Sequence, residues 1–111
     1  MKGENFMNPD SKQKRIAFGY NRGPANQIEY HPGQAPAVKL IYNYYLEGVS
    51  LAGIAENLES MGAPSPLNKP TWGKQTISNI LSNPHYIGGD GYPPIISKED
   101  FDKVQEIKKK K

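Results

Sequence analysis

The 111-residue chain contains no cysteine. That excludes a disulfide scaffold, a thiol nucleophile and every cysteine-ligated zinc or iron–sulfur site. Its two histidines, His31 and His85, have no metal-ligand spacing between them. Neither a metal nor a cofactor is expected. No apolar run approaches the ~18 residues that a membrane helix needs. There is no charged-then-apolar leader, so no secretory signal is expected and the cytoplasm is the expected compartment. No Gly-x-Ser-x-Gly surrounds any serine, which removes the nucleophile elbow. No Gly-rich loop ends in Lys-Ser or Lys-Thr, which removes the phosphate-binding loop. Carboxylate pairs such as Glu56 and Glu59 read as solvated helix faces. The chain by itself is therefore not expected to be an enzyme, and no small-molecule substrate or membrane partner is implied.

Acid is scarce in two places. The formal net charge is +3, but removing the four lysines 108–111 from the 14 basic residues leaves 10 against 11 acids. Global charge thus says little about nucleic acid, and distribution says more. From Ser11 to Ile28 the only charges are Lys12, Lys14, Arg15 and Arg22. From Ser60 to Gly89 the charged side chains are Lys69 and Lys74, again with no acid. Two acid-free stretches can share one electropositive face, or can be chance clusters on a solvated surface.

Length sets the scale of what is present. One small domain is expected, with modest burial and modest stability. Eleven glycines and ten prolines demand many turns. Residues 1–13 lack periodicity and read as a flexible arm, residues 14–107 as the folded domain, and residues 108–111 as a lysine tail. Arg15–Tyr20 and Gln27–Tyr30 read as two short strands around a Gly23-Pro24 turn. Ala35–Glu47 reads as a first helix, with Pro36 in its first turn and Gly48 as its stop. Ser50 caps a second, Leu51 to about Met61, on which Leu51, Ile54, Ala55 and Leu58 form one apolar stripe. Gly62 ends it, and Pro64 and Pro66 prevent its return. Thr71 reads as the N-cap of a third helix, about Trp72 to Ser82, which Asn83-Pro84 ends. His85–Gly91 reads as an extended piece and a glycine turn. Ser97 begins a last helix, with acids in its first turn and lysines at its end, as the helix dipole favours. Phe101, Val104 and Ile107 would face the body. The expected fold class is α+β, mostly α: a small helical domain with a helix-turn-helix-like centre and a short two-stranded hairpin.

The third helix carries the functional reading. With Lys74 at zero and steps of about 100° per residue, Ile77, Ile80 and Leu81 fall at about 300°, 240° and 340°. Lys74, Gln75, Ser78, Asn79 and Ser82 fall between about 0° and 140°, with no acid among them. Gln and Asn can pair with adenine edges, Lys with guanine or phosphate, and Ser with several edges. An amphipathic helix, a break and a shorter helix with such a face fit a helix-turn-helix, although the eight-residue loop 63–70 exceeds the usual turn of ~3–4 residues. The bland alternative is an ordinary solvated helix face. Trp72 can stack on a base, but fits core packing better. Lys108–Lys111 can touch phosphates or simply be solvated.

The order of these segments resembles a known family. Ala17-Phe-Gly-Tyr20, Ala37-Val-Lys-Leu-Ile-Tyr42 and Gly48-Val-Ser-Leu-Ala-Gly-Ile-Ala-Glu-Asn-Leu58 come first. Trp72, Thr76-Ile-Ser-Asn-Ile-Leu-Ser-Asn-Pro-His-Tyr-Ile-Gly88 and Pro94-Ile-Ile-Ser-Lys-Glu-Asp-Phe-Asp-Lys-Val-Gln105 follow. This looks like the recombinase domain of large serine recombinases, the phage integrase and transposon resolvase group. The string from Ile80 to Gly88 is its most specific part. Two departures stand out: the segment between Gly88 and Pro94 is short, and the 63–70 loop holds three prolines. The resemblance implies a middle domain excised from its catalytic serine domain and from a C-terminal domain, which would be its partners in the full-length protein. The implied function is site-specific binding of double-stranded DNA, which positions the catalytic domain on its attachment or end site.

On that reading, Lys74, Gln75, Ser78 and Asn79 read base edges. Lys69, Thr71 and His85 reach phosphates. Lys12, Lys14 and Arg15 form an arm along a neighbouring minor groove, and Arg22 extends the same basic stretch. A protein–protein interaction module is the competing reading. Its surface would be the exposed tyrosines among Tyr42, Tyr44 and Tyr45 of the first helix, at least one of which reads better as packed, together with the proline-rich loop 63–70, with no nucleic-acid role.

Overall fold

A computed structural model describes residues 16–66 and 68–110. Two strands, β1 (Tyr20–Arg22) and β2 (Ile28–Tyr30), pair antiparallel with Tyr20 opposite Tyr30 and Arg22 opposite Ile28. Four helices follow: α1 (Ala35–Leu46), α2 (Leu51–Ser60), α3 (Lys74–Leu81) and α4 (Lys98–Lys109). The order matches the sequence expectation of a mostly helical α+β domain with a hairpin.

The helix ends follow from local chemistry. Ser50 Oγ accepts the Gly53 N–H at 3.1 Å, and Ser97 Oγ accepts the Asp100 N–H at 3.1 Å, each satisfying an orphan donor of a first turn. Gly48 and Gly62, at φ +94° and +73°, end α1 and α2 in Schellman geometry. Val49 N–H reaches back to Tyr44 O, and Ala63 N–H to Leu58 O, both at 3.0 Å. At the start of α1, His31 Nδ1 accepts the Gln34 N–H at 3.1 Å, and Gln34 Oε1 accepts the Gly19 N–H at 2.9 Å. The first helix is thereby tied to the hairpin.

Two element starts and one element type differ most from expectation. β1 begins at Tyr20, where Arg15–Tyr20 was the expected strand, because Tyr20 N–H closes a turn onto Ala17 O at 3.3 Å. Of that stretch, Arg15 lies outside the described residues. α3 begins after Gly73, not after Thr71. Glu59 on α2 accepts the Trp72 N–H at 2.7 Å, and the Trp72 indole donates to Ala63 O at 2.8 Å. These bonds draw Trp72 back onto the end of α2 and delay the helix. Finally, Pro84–Ile87 is a 3-10 turn, where an extended piece was expected from His85. Asn83 Oδ1 caps it by accepting the His85 N–H at 3.0 Å.

All four helices contribute to one core. Val38, Ile41 and Tyr42 of α1, Ile54 and Leu58 of α2, Ile77 and Leu81 of α3 and Val104 of α4 are fully buried. α2 packs on α3, and α4 lies against α1 and α3. Phe101 and Ile107 are partly buried against the same core, as their spacing implies. Trp72 is buried and meets Phe18 edge-on, with ring centroids 5.6 Å apart, which makes it a core residue. Tyr86 ties distant segments together: its hydroxyl donates to Phe18 O at 2.6 Å, and its carbonyl accepts from Ile95 and Ile96 N–H at 2.8 and 2.9 Å. No helix among the described residues is long and apolar enough to cross a membrane.

Candidate nucleic-acid interface

Burial of Ile77, Ile80 and Leu81 decides which way α3 faces. Lys74, Gln75 and Asn79 are left exposed, as is Ser82 just beyond the helix. The side chains that the 100° spacing places together are therefore together on the surface. Gln75 Nε2 donates to Asn79 Oδ1 at 2.9 Å, so the two amides hold each other in line. Ser78 is only partly exposed. The ammonium of Lys108 donates to Ser78 Oγ at 3.0 Å and to Ser82 Oγ at 2.7 Å. A lysine from the far end of the chain thus sits on the polar face of α3.

The loop into α3 is organised around Ser65, a buried polar residue among proline neighbours. Its N–H donates to Lys69 O at 3.0 Å, and its Oγ accepts the Lys69 N–H at 3.2 Å. This closed loop presents Lys69 and Thr71 to solvent ahead of α3. Along the edge of this face a groove of about 210 Å³ is lined by Thr76 and Asn79 together with Phe18, Pro66 and Asn83. The last three also line a wider cleft of about 660 Å³ that reaches Gln34, His85 and Tyr92.

A family model described as Recombinase matches residues 32–111. The chain belongs to the Recombinase family. Solved structures similar to it include the following two. One is described as concerning the sequence requirements of the Listeria innocua prophage attP site. It shares 26% identity at a TM-score of 0.70, over 88% of this chain and 44% of that one. The other is a crystal structure of an LSR–DNA complex, with 26% identity and a TM-score of 0.68, over 86% of this chain and 32% of that one. No curated protein matches the chain. This recombinase domain, of the large serine recombinase kind, spans less than half the length of either solved relative.

Within this recombinase domain the expected site residues fall into three groups. Lys74, Gln75 and Asn79 share the exposed face of α3, with Ser78 at its edge beneath Lys108. Lys69 and Thr71 flank that face on the loop before it. His85 and Arg22 stand apart. The His85 ring lies against Tyr92, centroids 4.3 Å apart, and its Nε2 is 3.4 Å from Asp90 Oδ2, so a carboxylate already occupies its polar side. Arg22 is on the hairpin, where Nη1 donates to Asn26 O at 3.1 Å. Lys12, Lys14 and Arg15 lie outside the described residues.

Two corrections concern the remaining expectations. The tyrosine part of the competing surface shrinks to Tyr44, which is half-buried, because Tyr42 and Tyr45 are buried. Helical spacing turns Tyr42 and Tyr45 inward with Val38 and Ile41, and the Tyr42 hydroxyl is spent on Ile80 O at 2.8 Å. The lysine run is not simply a solvated tail either. α4 continues through Lys109, and Lys108 is engaged with α3. Lys108 and Ser82 are the residues of this face that sequence reasoning left out of its site. Ser82 had a signal, its angle on the helix; Lys108 had none, because its contact is tertiary.

Proposed function

We propose that this recombinase domain binds duplex DNA in a site-specific manner, with α3 in the major groove. It thereby positions the catalytic domain of a longer serine recombinase on its attachment or end site. The observation that carries this is the acid-free exposed face of α3, on which Lys74 and the paired amides of Gln75 and Asn79 stand on a helix anchored by three buried apolar residues. Amide side chains offer both a donor and an acceptor, which is what an adenine edge in the major groove requires. Lys69 and Thr71 serve as phosphate contacts that set the register, and Ser78 is a marginal reader because Lys108 already engages its hydroxyl. His85 is the weakest phosphate candidate, since Asp90 opposes an anion there. Lys12, Lys14 and Arg15 would supply a basic arm beside the main contact, with Arg22 on the hairpin next to it in the chain. In this role the domain performs no strand cleavage itself; that step belongs to a catalytic serine domain in the same full-length protein, and a C-terminal domain shares the binding.

Structural relatives that include an LSR–DNA complex support the reading. Its direct test is duplex binding followed across salt concentration. Contacts to several phosphates must weaken binding with a log–log slope near −0.9 per contact. A flat response would remove the DNA-binding role.

A further inference from the structure

The C-terminal end of α3 is completed by side chains of another helix. A helix leaves its last four carbonyls without intrahelical partners. In α3 these belong to Ser78, Asn79, Ile80 and Leu81. Asn79 O takes the Ser82 N–H at 3.2 Å, and Ile80 O takes the Tyr42 hydroxyl at 2.8 Å. The other two are filled from α4. Gln105 Nε2 donates to Leu81 O at 2.7 Å, and Lys108 Nζ donates to Ser78 O at 3.1 Å. Gln105 and Lys108 are three residues apart, so one face of α4 carries both. With Ser78 Oγ and Ser82 Oγ added, each of the three ammonium donors of Lys108 has an acceptor. Partial burial holds its pKa below the usual lysine range. A cation is also favoured at this end of the helix dipole.

α3 depends on such support. Eight residues are about two turns, too short to be stable alone, and Gly73 gives no side-chain cap at its start. We infer that Gln105 and Lys108 form a clamp that sets the roll of α3, which makes them specificity-determining positioning residues for DNA reading. The inference rests on the proposed role of α3 as the reading helix. Its physical basis is the difference between the two kinds of contact. Pairing an amide with a base edge needs defined orientation, whereas a long basic side chain follows a phosphate through many helix rolls. Loosening the clamp therefore degrades discrimination and spares general affinity. A lysine that bound phosphate directly would do the reverse.

The test compares the full chain with Gln105→Leu and Lys108→Met. Each protein captures duplexes from a random-sequence pool that is sequenced before and after selection, and affinity for the unselected pool is followed across salt. The wild type should enrich a preferred sequence. Both variants should lose about tenfold of that enrichment, with the salt slope unchanged. A neutral and a charged residue acting alike is the signature of positioning. Hydrogen exchange in the free protein supplies a second readout: the last turn of α3 should exchange faster in both variants while α1 and α2 keep their protection. Enrichment equal to wild type in both variants overturns the clamp. So does intact enrichment in Lys108→Met with a slope shallower by about one, which would make Lys108 a phosphate contact. A wild-type chain that enriches no sequence overturns the reading role of α3 itself, and the clamp's role with it.

Discussion

Gln75 and Asn79 are joined on the solvent face of α3 by a hydrogen bond of 2.9 Å from one side-chain amide to the other. The i, i+4 spacing brings them together, and the bond leaves each amide with further donor or acceptor capacity directed outward. On the proposed role of α3 they would act as one unit held on a short helix, rather than as two independent contacts.

That unit sets the first prediction. Gln75→Ala or Asn79→Ala should each cost ~1–3 kcal/mol of sequence discrimination while leaving non-specific affinity in place. Because each residue orders the other, the double variant should lose less than the two single losses together, a coupling that a double-mutant cycle in competition binding measures. Additive losses would mean that the pair does not act as a unit.

Lys69 and Lys74 are expected to behave differently from each other. Lys69→Ala should weaken binding to all sequences alike and reduce the salt slope by about one. Lys74→Ala should also relax discrimination, since Lys74 stands on the face proposed to read bases. Anisotropy titrations against preferred and scrambled duplexes at several salt concentrations separate the two outcomes.

The apolar side of this arrangement was legible in the sequence, and much of the polar side was too. Ile77, Ile80 and Leu81 announce their face by spacing alone, and burial of all three fixes which side chains remain outside. The string from Ile80 to Gly88, which carried the family resemblance, also has a structural explanation. Ile80 and Leu81 are core, Asn83 caps the turn that Pro84 begins, and Tyr86 bonds to Phe18 across the domain. What escaped was set by contacts distant in the chain. The start of α3 shifted because Glu59, thirteen positions earlier, accepts the Trp72 N–H. Lys108 read as tail because nothing in its own neighbourhood signals Ser78, thirty residues away. The tyrosines of α1 could be read either as surface or as core, and only packing against α3 and α4 decides it.

Anchorage of α3 gives a stability prediction. Ile77 is fully buried between α3 and the rest of the core. Ile77→Ala should destabilise the domain by about 2–5 kcal/mol, read as a lowered urea midpoint with an unchanged slope. Gln75→Ala, on the exposed face of the same helix, should shift that midpoint by about 0.5 kcal/mol or less. Comparable losses from both would contradict the assignment of faces.

Alkaline stability follows from the buried tyrosines. Burial, reinforced by Tyr30 and Tyr92, pushes the Tyr20 hydroxyl up to about 12 from an ordinary 10.0. Burial likewise raises Tyr42 and Tyr86. Above the ordinary tyrosine range the unfolded chain releases protons that the native state retains, so the unfolded state binds fewer and stability falls as pH rises. Stability should hold through neutral pH and decline from about pH 10 upward. Tyr20→Phe should flatten the early part of that decline, at a neutral-pH cost of ~1 kcal/mol for its lost bond to Pro93 O. Denaturant midpoints across alkaline pH, with tyrosinate absorbance recorded alongside, test this.

The role of α3 is tested most directly by an NMR titration of labelled protein with a short generic duplex at low salt, repeated at moderate salt. Amides from Lys69 to Asn83 should shift, together with those of the basic stretch from Lys12 to Arg22, and the shifts should fade as salt rises. Absence of shifts in α3, or shifts confined to the lysines at the end of α4, would contradict its assignment as the DNA-reading helix.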